Sequence, residues 1–379
     1  MNSFIINLLT LDLKRLSFFI ILCLFIKPNN AEANLNASKD SVKSQNIVFQ
    51  IFPSGGFSPE TRIGLGFYAV TLLHFYPNDS LSRASVIDLG TIYTQNDQFY
   101  ALPSWKIFSK HNKFVLSGDG VFQYYTEKYF GIGNNSPASA EETYRHSLSR
   151  IDTKLQREIG RKFYFGLHYM SEEMYNVSAI GAPGPISRGE VLGAKGGLAS
   201  GAGFAFSLDT RNRIMMTSKG SYLDVQNAWY SKQLFGDYNF HALTLDFRKY
   251  LSLNQNNVLA GQFYGHQIIG AAPFRMLSLL GGPMIMRGYY FGRYRDNDLL
   301  AAQLELRTKL SNRFYSNFFI GAGEVTPQLN QFDWKELRPN YGLGLRYVYN
   351  KRERLNFRLD LGFGTNGNYG TYITAGEAF

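Results

Sequence analysis

The densest concentration of groups that could do chemistry lies in residues 281–307, GGPMIMRGYYFGRYRDNDLLAAQLELR. Its first half is a glycine-rich, aromatic-rich loop with a cationic centre, Met286-Arg287-Gly288-Tyr289, followed by Arg293-Tyr294-Arg295-Asp296. A guanidinium presents a planar fork of donors that can bond a carboxylate through two parallel hydrogen bonds. Signatures of bond-breaking chemistry are missing. No G-x-S-x-G occurs, and the six histidines, His74, His111, His146, His168, His241 and His266, are isolated, without H-E-x-x-H or another metal-ligand spacing. His168 and His266 fall within strand-like stretches, where a lone histidine reads as structural, although a Ser–His pair spread over strands would leave no linear motif. The G-x-G-x-x-G match at 362–367 ends a strand and opens a turn, not a helix, so it lacks the context of a dinucleotide site. No cofactor, metal or enzymatic activity is expected.

The elements around that loop are strands. After it, Leu300, Ala302, Leu304 and Leu306 alternate with Ala301, Gln303, Glu305 and Arg307, which puts apolar groups on one face and polar ones on the other. Near the C-terminus, Leu355, Phe357, Leu359, Leu361 and Phe363 alternate with Asn356, Arg358, Asp360 and Gly362. Strands are expected at about 47–53, 62–72, 83–94, 97–109, 113–126, 142–158, 161–178, 199–209, 219–230, 238–250 and 256–269. Others follow the loop at about 298–309, 313–323, 338–350, 355–364 and 370–379, roughly sixteen in all. The first two are expected to turn through Ser54-Gly55-Gly56. Charges at alternate positions suit a wet lumen with apolar residues turned to lipid. A soluble sandwich or propeller leaves unexplained why the pattern fills the chain without any helix-like stretch.

Composition agrees. Aromatic residues make up 16% of the chain, with 25 Tyr and 31 Phe beside 37 Gly, a balance that favours strands and fits aromatic girdles at two lipid interfaces. No apolar run reaches the length of a membrane-spanning helix. Residues 1–33 read as a secretory signal: Lys14 and Arg15 precede an apolar run at 16–26, and Ala31-Glu32-Ala33 supplies a small-x-small cleavage site. The only cysteine, Cys23, lies in that run, so the mature chain would have no thiol for disulfides or metals. Residues 34–45 form a short polar lead-in, and 46–379 the barrel. The net charge of +10 is dispersed without a basic run, which speaks against nucleic acid and for lipid phosphates or a cationic lumen.

The loop-plus-strand at 281–307, the D-x-R turn at Asp209-Thr210-Arg211, the closing segment YGLGLRYVYNKRERLNFRLDLGFG and the terminal Phe379 together resemble the Omp85 superfamily of outer-membrane barrels. The resemblance is close over 281–379 and looser over the rest of the barrel region. It implies an all-β fold, a transmembrane antiparallel β-barrel with a loop folded into the lumen, its tip being Arg287, Gly288 and Tyr289. In the family the tip arginine is held by acidic groups on nearby wall strands. Glu324 and Asp360 are the first candidates here and Glu305 the less favoured one. Relatives commonly carry an aspartate where Gly321 stands, so one of these acids must substitute or the lock is weaker.

The resemblance further implies a weakly paired seam between first and last strands, marked here by Pro53, Gly55, Gly56 and Phe379, and work in inserting proteins into the outer membrane of a Gram-negative bacterium or moving them across it. Expected partners are outer-membrane lipids including lipopolysaccharide, client or partner outer-membrane proteins, and a separate periplasmic POTRA-type protein, since 34–45 is too short to hold a POTRA domain. Oligomeric state stays open, a homodimer included. The alternative is a non-catalytic accessory or structural subunit of a larger complex. A passive pore is a third reading, which a plugging loop argues against.

Overall fold

A computed structural model of the chain describes residues 46–379, apart from 80, 214 and 351–353. The expected signal peptide at 1–33 and lead-in at 34–45 lie outside the described residues. In chain order the strands are β1 (Ile47–Ser58), β2 (Arg62–Leu73), β3 (Ser85–Thr94), β4 (Phe99–Phe108), β5 (Phe114–Tyr129) and β6 (Glu142–Gly160). Next come β7 (Phe163–Ile180), β8 (Gly197–Asp209), β9 (Gly220–Tyr230), β10 (Phe240–Ser252), β11 (Asn257–Gly270), β12 (Ser278–Leu280) and β13 (Tyr294–Asp296). The last are β14 (Asp298–Lys309), β15 (Phe314–Thr326), β16 (Arg338–Asn350), β17 (Leu355–Gly364) and β18 (Tyr369–Ala375).

All but β12 and β13 join one closed sheet of sixteen antiparallel strands, each beside its neighbour in the chain, with β1 meeting β18. Closure matters because a hydrocarbon environment offers no partner for a free backbone N–H or C=O. The side-chain period of two sorts each strand by environment. In β14, Leu304 and Leu306 face outward while Gln303, Glu305 and Arg307 are buried inside. In β17, Phe357, Leu359, Leu361 and Phe363 face outward while Arg358 and Asp360 are enclosed. The short pair β12–β13 belongs to the segment between β11 and β14, the loop that carries Arg287.

Two expectations about the ends are corrected. Residues 54–56 are not a turn: β1 runs through them to Ser58, and the turn comes at 59–61, where the Ser58 and Thr61 hydroxyls bond at 2.9 Å. The glycines serve close approach instead, since a Cβ on Gly56 would stand 2.4 Å from the Ile373 carbonyl oxygen of β18. Strand β18 also stops at Ala375, and Phe379 lies beyond it. Gly376 adopts φ +79°, a left-handed conformation that glycine takes without strain, and the chain turns into the lumen. There Ala378 and Phe379 pack against Tyr250 and Ala260 of β10 and β11, on the wall six and five strands away from β18. Phe379 therefore does not line the seam.

Candidate functional site

The long loop enters the lumen and presses its tip onto β17. Gly288, at φ +111°, sits where a Cβ would come within 2.7 Å of the Phe363 backbone, and Gly362 reciprocally has no room for a Cβ against Arg287 and Gly288. Two backbones thus touch directly, which only glycine at both positions allows. Side chains then pin the tip. The Gly288 N–H donates to the Tyr372 hydroxyl at 3.1 Å, and that hydroxyl donates to the Tyr289 carbonyl at 3.2 Å. Tyr289 donates its own hydroxyl to the Pro339 carbonyl at 2.7 Å and accepts from the Thr365 N–H at 2.9 Å. Asn340 donates to the Arg287 carbonyl at 2.7 Å.

Arg287 has no exposure to solvent. Its guanidinium donates to Asp360 at 2.5 Å and to Glu305 at 2.6 Å, and it stacks 3.6 Å above the Phe319 ring. Both carboxylates are shared. Glu305 also accepts from Arg307 at 2.9 Å and Arg346 at 3.4 Å, and Asp360 from Arg346 at 2.5 Å. Arg358 stands 3.7 Å from Asp360, and Glu377 on the inturned tail accepts from Arg346 at 2.9 Å. Arg307 further donates to the Phe379 carbonyl at 2.9 Å. The loop tip and the tail are thereby two ends of one buried network of four guanidiniums and three carboxylates. Such a network is costly to desolvate, and it holds because each of the six carboxylate oxygens accepts at least one hydrogen bond.

Glu324 takes no part. It lies five residues along β15 from Phe319, roughly 17 Å at the rise of a strand, and its carboxylate accepts from the Asp333 N–H at 3.1 Å. The structure brings Asp360 and the less favoured Glu305 to Arg287 instead. An aspartate at position 321 would have no space, since a Cβ on Gly321 would meet the Asn340 side-chain oxygen at 2.6 Å. Sequence reasoning missed Arg346, Arg358 and Glu377; the first two sit on lumen-facing positions of strands whose alternation was visible. Arg295 is sandwiched between Tyr129 at 5.0 Å and Phe274 at 5.6 Å, and its carbonyl accepts from the Gly133 N–H at 2.7 Å. It therefore ties the loop to the 130–141 connection.

The lumenal histidines have structural partners. His168 contacts Asp152 and the Asn227 carbonyl, each at 3.0 Å. His266 lies 2.7 Å from the Ser278 hydroxyl, but that hydroxyl donates to the Asn297 carbonyl at 2.6 Å and both residues pin the loop to β11. Among the described residues no group of three or more His, Cys, Asp or Glu is placed to hold a metal.

The seam is the remaining feature. Along β1 and β2 the register is continuous from Ile47↔Leu73 to Ser58↔Arg62, whereas β1 and β18 share the single register pair Phe57↔Ile373. Pro53, Gly55 and Gly56 lie on β1. Among the described residues, 47–56 have no register partner on the side away from β2, although Gly56 lies against the Ile373 carbonyl of β18.

Comparison with known proteins completes the picture. No curated protein matches the sequence. The Omp85 superfamily domain matches residues 90–379. The fold is similar to BamA from Haemophilus ducreyi lacking POTRA domains 1–3, with TM-score 0.59 and 15% identity over 87% of this chain and 70% of that one. It is also similar to CdiB from Acinetobacter baumannii (TM-score 0.56, 13% identity, 87% of this chain, 60% of that one). CdiB from Escherichia coli compares likewise (TM-score 0.57, 9% identity, 88% of this chain, 64% of that one). The chain thus spans less than two thirds of the CdiB proteins it resembles. Barrel, inward loop and matched domain agree: this chain is an outer-membrane β-barrel and belongs to the Omp85 superfamily.

Proposed function

We propose that this barrel assists the insertion of proteins into, or their transport across, the outer membrane of a Gram-negative bacterium. The observation that carries the reading is the seam, where β1 offers most of one edge without a sheet partner. A free edge is a template on which an incoming strand can pair by β-augmentation, with its backbone groups satisfied as they enter lipid. Proline in β1 suits an edge, since it removes one ladder donor. Release of strand-pairing and lipid-burial energy drives the step, so no nucleotide is consumed. The Arg287 lock braces the lumen wall at Asp360 on β17, one strand from the seam, so a client pairing at the edge works against a fixed support.

Within this reading, residues 1–33 are a signal peptide and 34–45 a periplasmic lead-in, and a separate POTRA-type protein delivers clients. The longer connections, at 181–196 and 271–297, spring from the end opposite β1's start, and that end faces outward, as in other such barrels. Lipopolysaccharide would then surround that end.

The test is a reversible seam lock. Phe57→Cys with Ile373→Cys places two thiols at register partners, whose Cα separation of about 4.5–5.5 Å in an antiparallel pair suits a disulfide. The oxidised variant in liposomes should stop accelerating the folding of a client barrel, and reductant should restore it. Equal client folding in oxidised and reduced forms would remove the seam from the mechanism.

A further inference from the structure

The lumen holds a second cationic site, built on other strands than those that carry the Arg287 network. At the end of the barrel where β1 begins, a cavity of about 60 Å³ is lined by Arg83, Lys106, Lys154 and Lys162, with hydroxyls of Ser117, Ser207, Tyr164 and Tyr222 around it. A space of this size takes several waters, or one tetrahedral oxyanion with part of its shell.

The lining carboxylate, Asp209, and the neighbouring Asp224 and Glu158 are already engaged. Asp224 is bonded by Lys154 at 2.8 Å and by Ser207 at 2.6 Å. Asp209 is held by Arg211 through two bonds, at 2.9 and 2.8 Å. Glu158 accepts from the Lys162 backbone N–H at 3.2 Å. Lys162 is exposed, which leaves the Arg83 guanidinium and the Lys106 ammonium, which among the described residues have no carboxylate within ion-pair distance. Each instead stands over the Phe108 ring, at 5.8 and 5.7 Å. Lys106 is half-buried beside the ring, which weakens solvent screening of its charge, while Arg83 is exposed at the mouth of the cavity. The two cations come from different segments, the connection before β3 and the strand β4, so their convergence is a product of the closed wall.

We propose that this cavity is a binding site for a phosphate-type oxyanion, either free phosphate or the phosphomonoester of a lipid headgroup. Arg83 supplies a fork to two oxygens, Lys106 a point charge to a third, and the Ser117 and Tyr164 hydroxyls are donors at the rim. The site does not depend on the seam or on client handling, so it stands or falls separately from the function proposed above.

Phosphorus NMR on the full chain in detergent micelles reads it directly. Inorganic phosphate titrated at constant ionic strength should show saturable line broadening, and Lys106→Ala combined with Arg83→Ala should weaken the apparent affinity at least about tenfold, the loss expected for charge-assisted bonds in a partly buried site. Lys106→Arg should retain binding, and Lys335→Ala, an exposed lysine on a distant loop, should leave it unchanged. Unaltered electrophoretic heat-shift of each variant establishes that the barrel is folded. A parallel titration with mixed micelles containing phosphatidic acid separates the sources: broadening of the lipid phosphorus that is lost in the double variant identifies the headgroup, and broadening of inorganic phosphate alone identifies the free ion. Non-saturable broadening, or equal affinity in the folded double variant, overturns the assignment.

Discussion

The charge count around Arg287 makes a prediction that runs against intuition. Counting side chains, the network holds one more guanidinium than carboxylate. Replacing Arg287 with methionine removes the surplus cation. Glu305 keeps Arg307 at 2.9 Å and Asp360 keeps Arg346 at 2.5 Å, so neither carboxylate is left alone. The gross loss is two charge-assisted hydrogen bonds, about 1.5–3 kcal/mol each, and relief of cation repulsion returns part of it, for a net cost of about 2–3 kcal/mol. Asp360→Asn goes the other way: it leaves four guanidiniums facing two carboxylates in the same enclosed space. Breaking a buried pair so that a charge is uncompensated costs about 3–5 kcal/mol. The neutral aspartate substitution should therefore be the more damaging, by at least about 1 kcal/mol. The double variant should fall short of additivity by about 1–3 kcal/mol, because the two side chains share a bond. Urea unfolding in micelles, followed by tryptophan emission with unchanged slope, measures all three. A larger loss for Arg287→Met than for Asp360→Asn would refute the charge count, and a loss below about 0.5 kcal/mol would mean the side chain is in water.

Other expectations follow from neighbouring contacts. Gly288→Ala must place a Cβ against the Phe363 backbone at φ +111°, so the tip should lift, at a cost of about 1–3 kcal/mol, and the 281–297 segment should become cleavable by a protease that leaves the parent intact. Phe379→Ala empties a buried aromatic site against Tyr250, which should lower stability by about 3–5 kcal/mol; a loss near zero would show the tail to be undocked in solution. In the connection before β3, the Ser82 hydroxyl holds the Asp79 carboxyl below the usual aspartate range, with help from the Leu81 N–H and His111. A depressed carboxyl contributes stability above its unfolded value, about 3.9, and loses it as pH falls through the folded one. Protection of the Leu81 amide, its exchange relative to the intrinsic rate at each pH, should hold at neutral pH and fall only in acid below that range; constant protection through the acid limb would contradict the link.

How much of the site could be read in advance depends on the range of each interaction. That Glu305, Arg307, Arg358 and Asp360 point inward follows from neighbours one and two residues away, and the wall confirms it strand by strand. Which of those acids meets Arg287 is a matter of height along the barrel. Sequence reasoning ranked Glu324 above Glu305, yet their strands place them at different levels, and no local pattern encodes that. The Pro-Ser-Gly-Gly run in β1 has the composition of a turn, but a strand packed closely on its neighbour needs the same small residues. The chain after β18 has only a weak strand pattern, consistent with its leaving the sheet.

The sequence alone determined the all-β wall, its sixteen segments and the presence of a long glycine-and-arginine loop before β14, because side-chain alternation and backbone permissiveness are properties of adjacent residues. Tertiary structure decided the partners of Arg287, the inward course of the tail to Arg307 and Tyr250, and the narrow β1–β18 closure. Those depend on register around a closed sheet, where the positions of all strands jointly set the height and facing of each charge in the lumen.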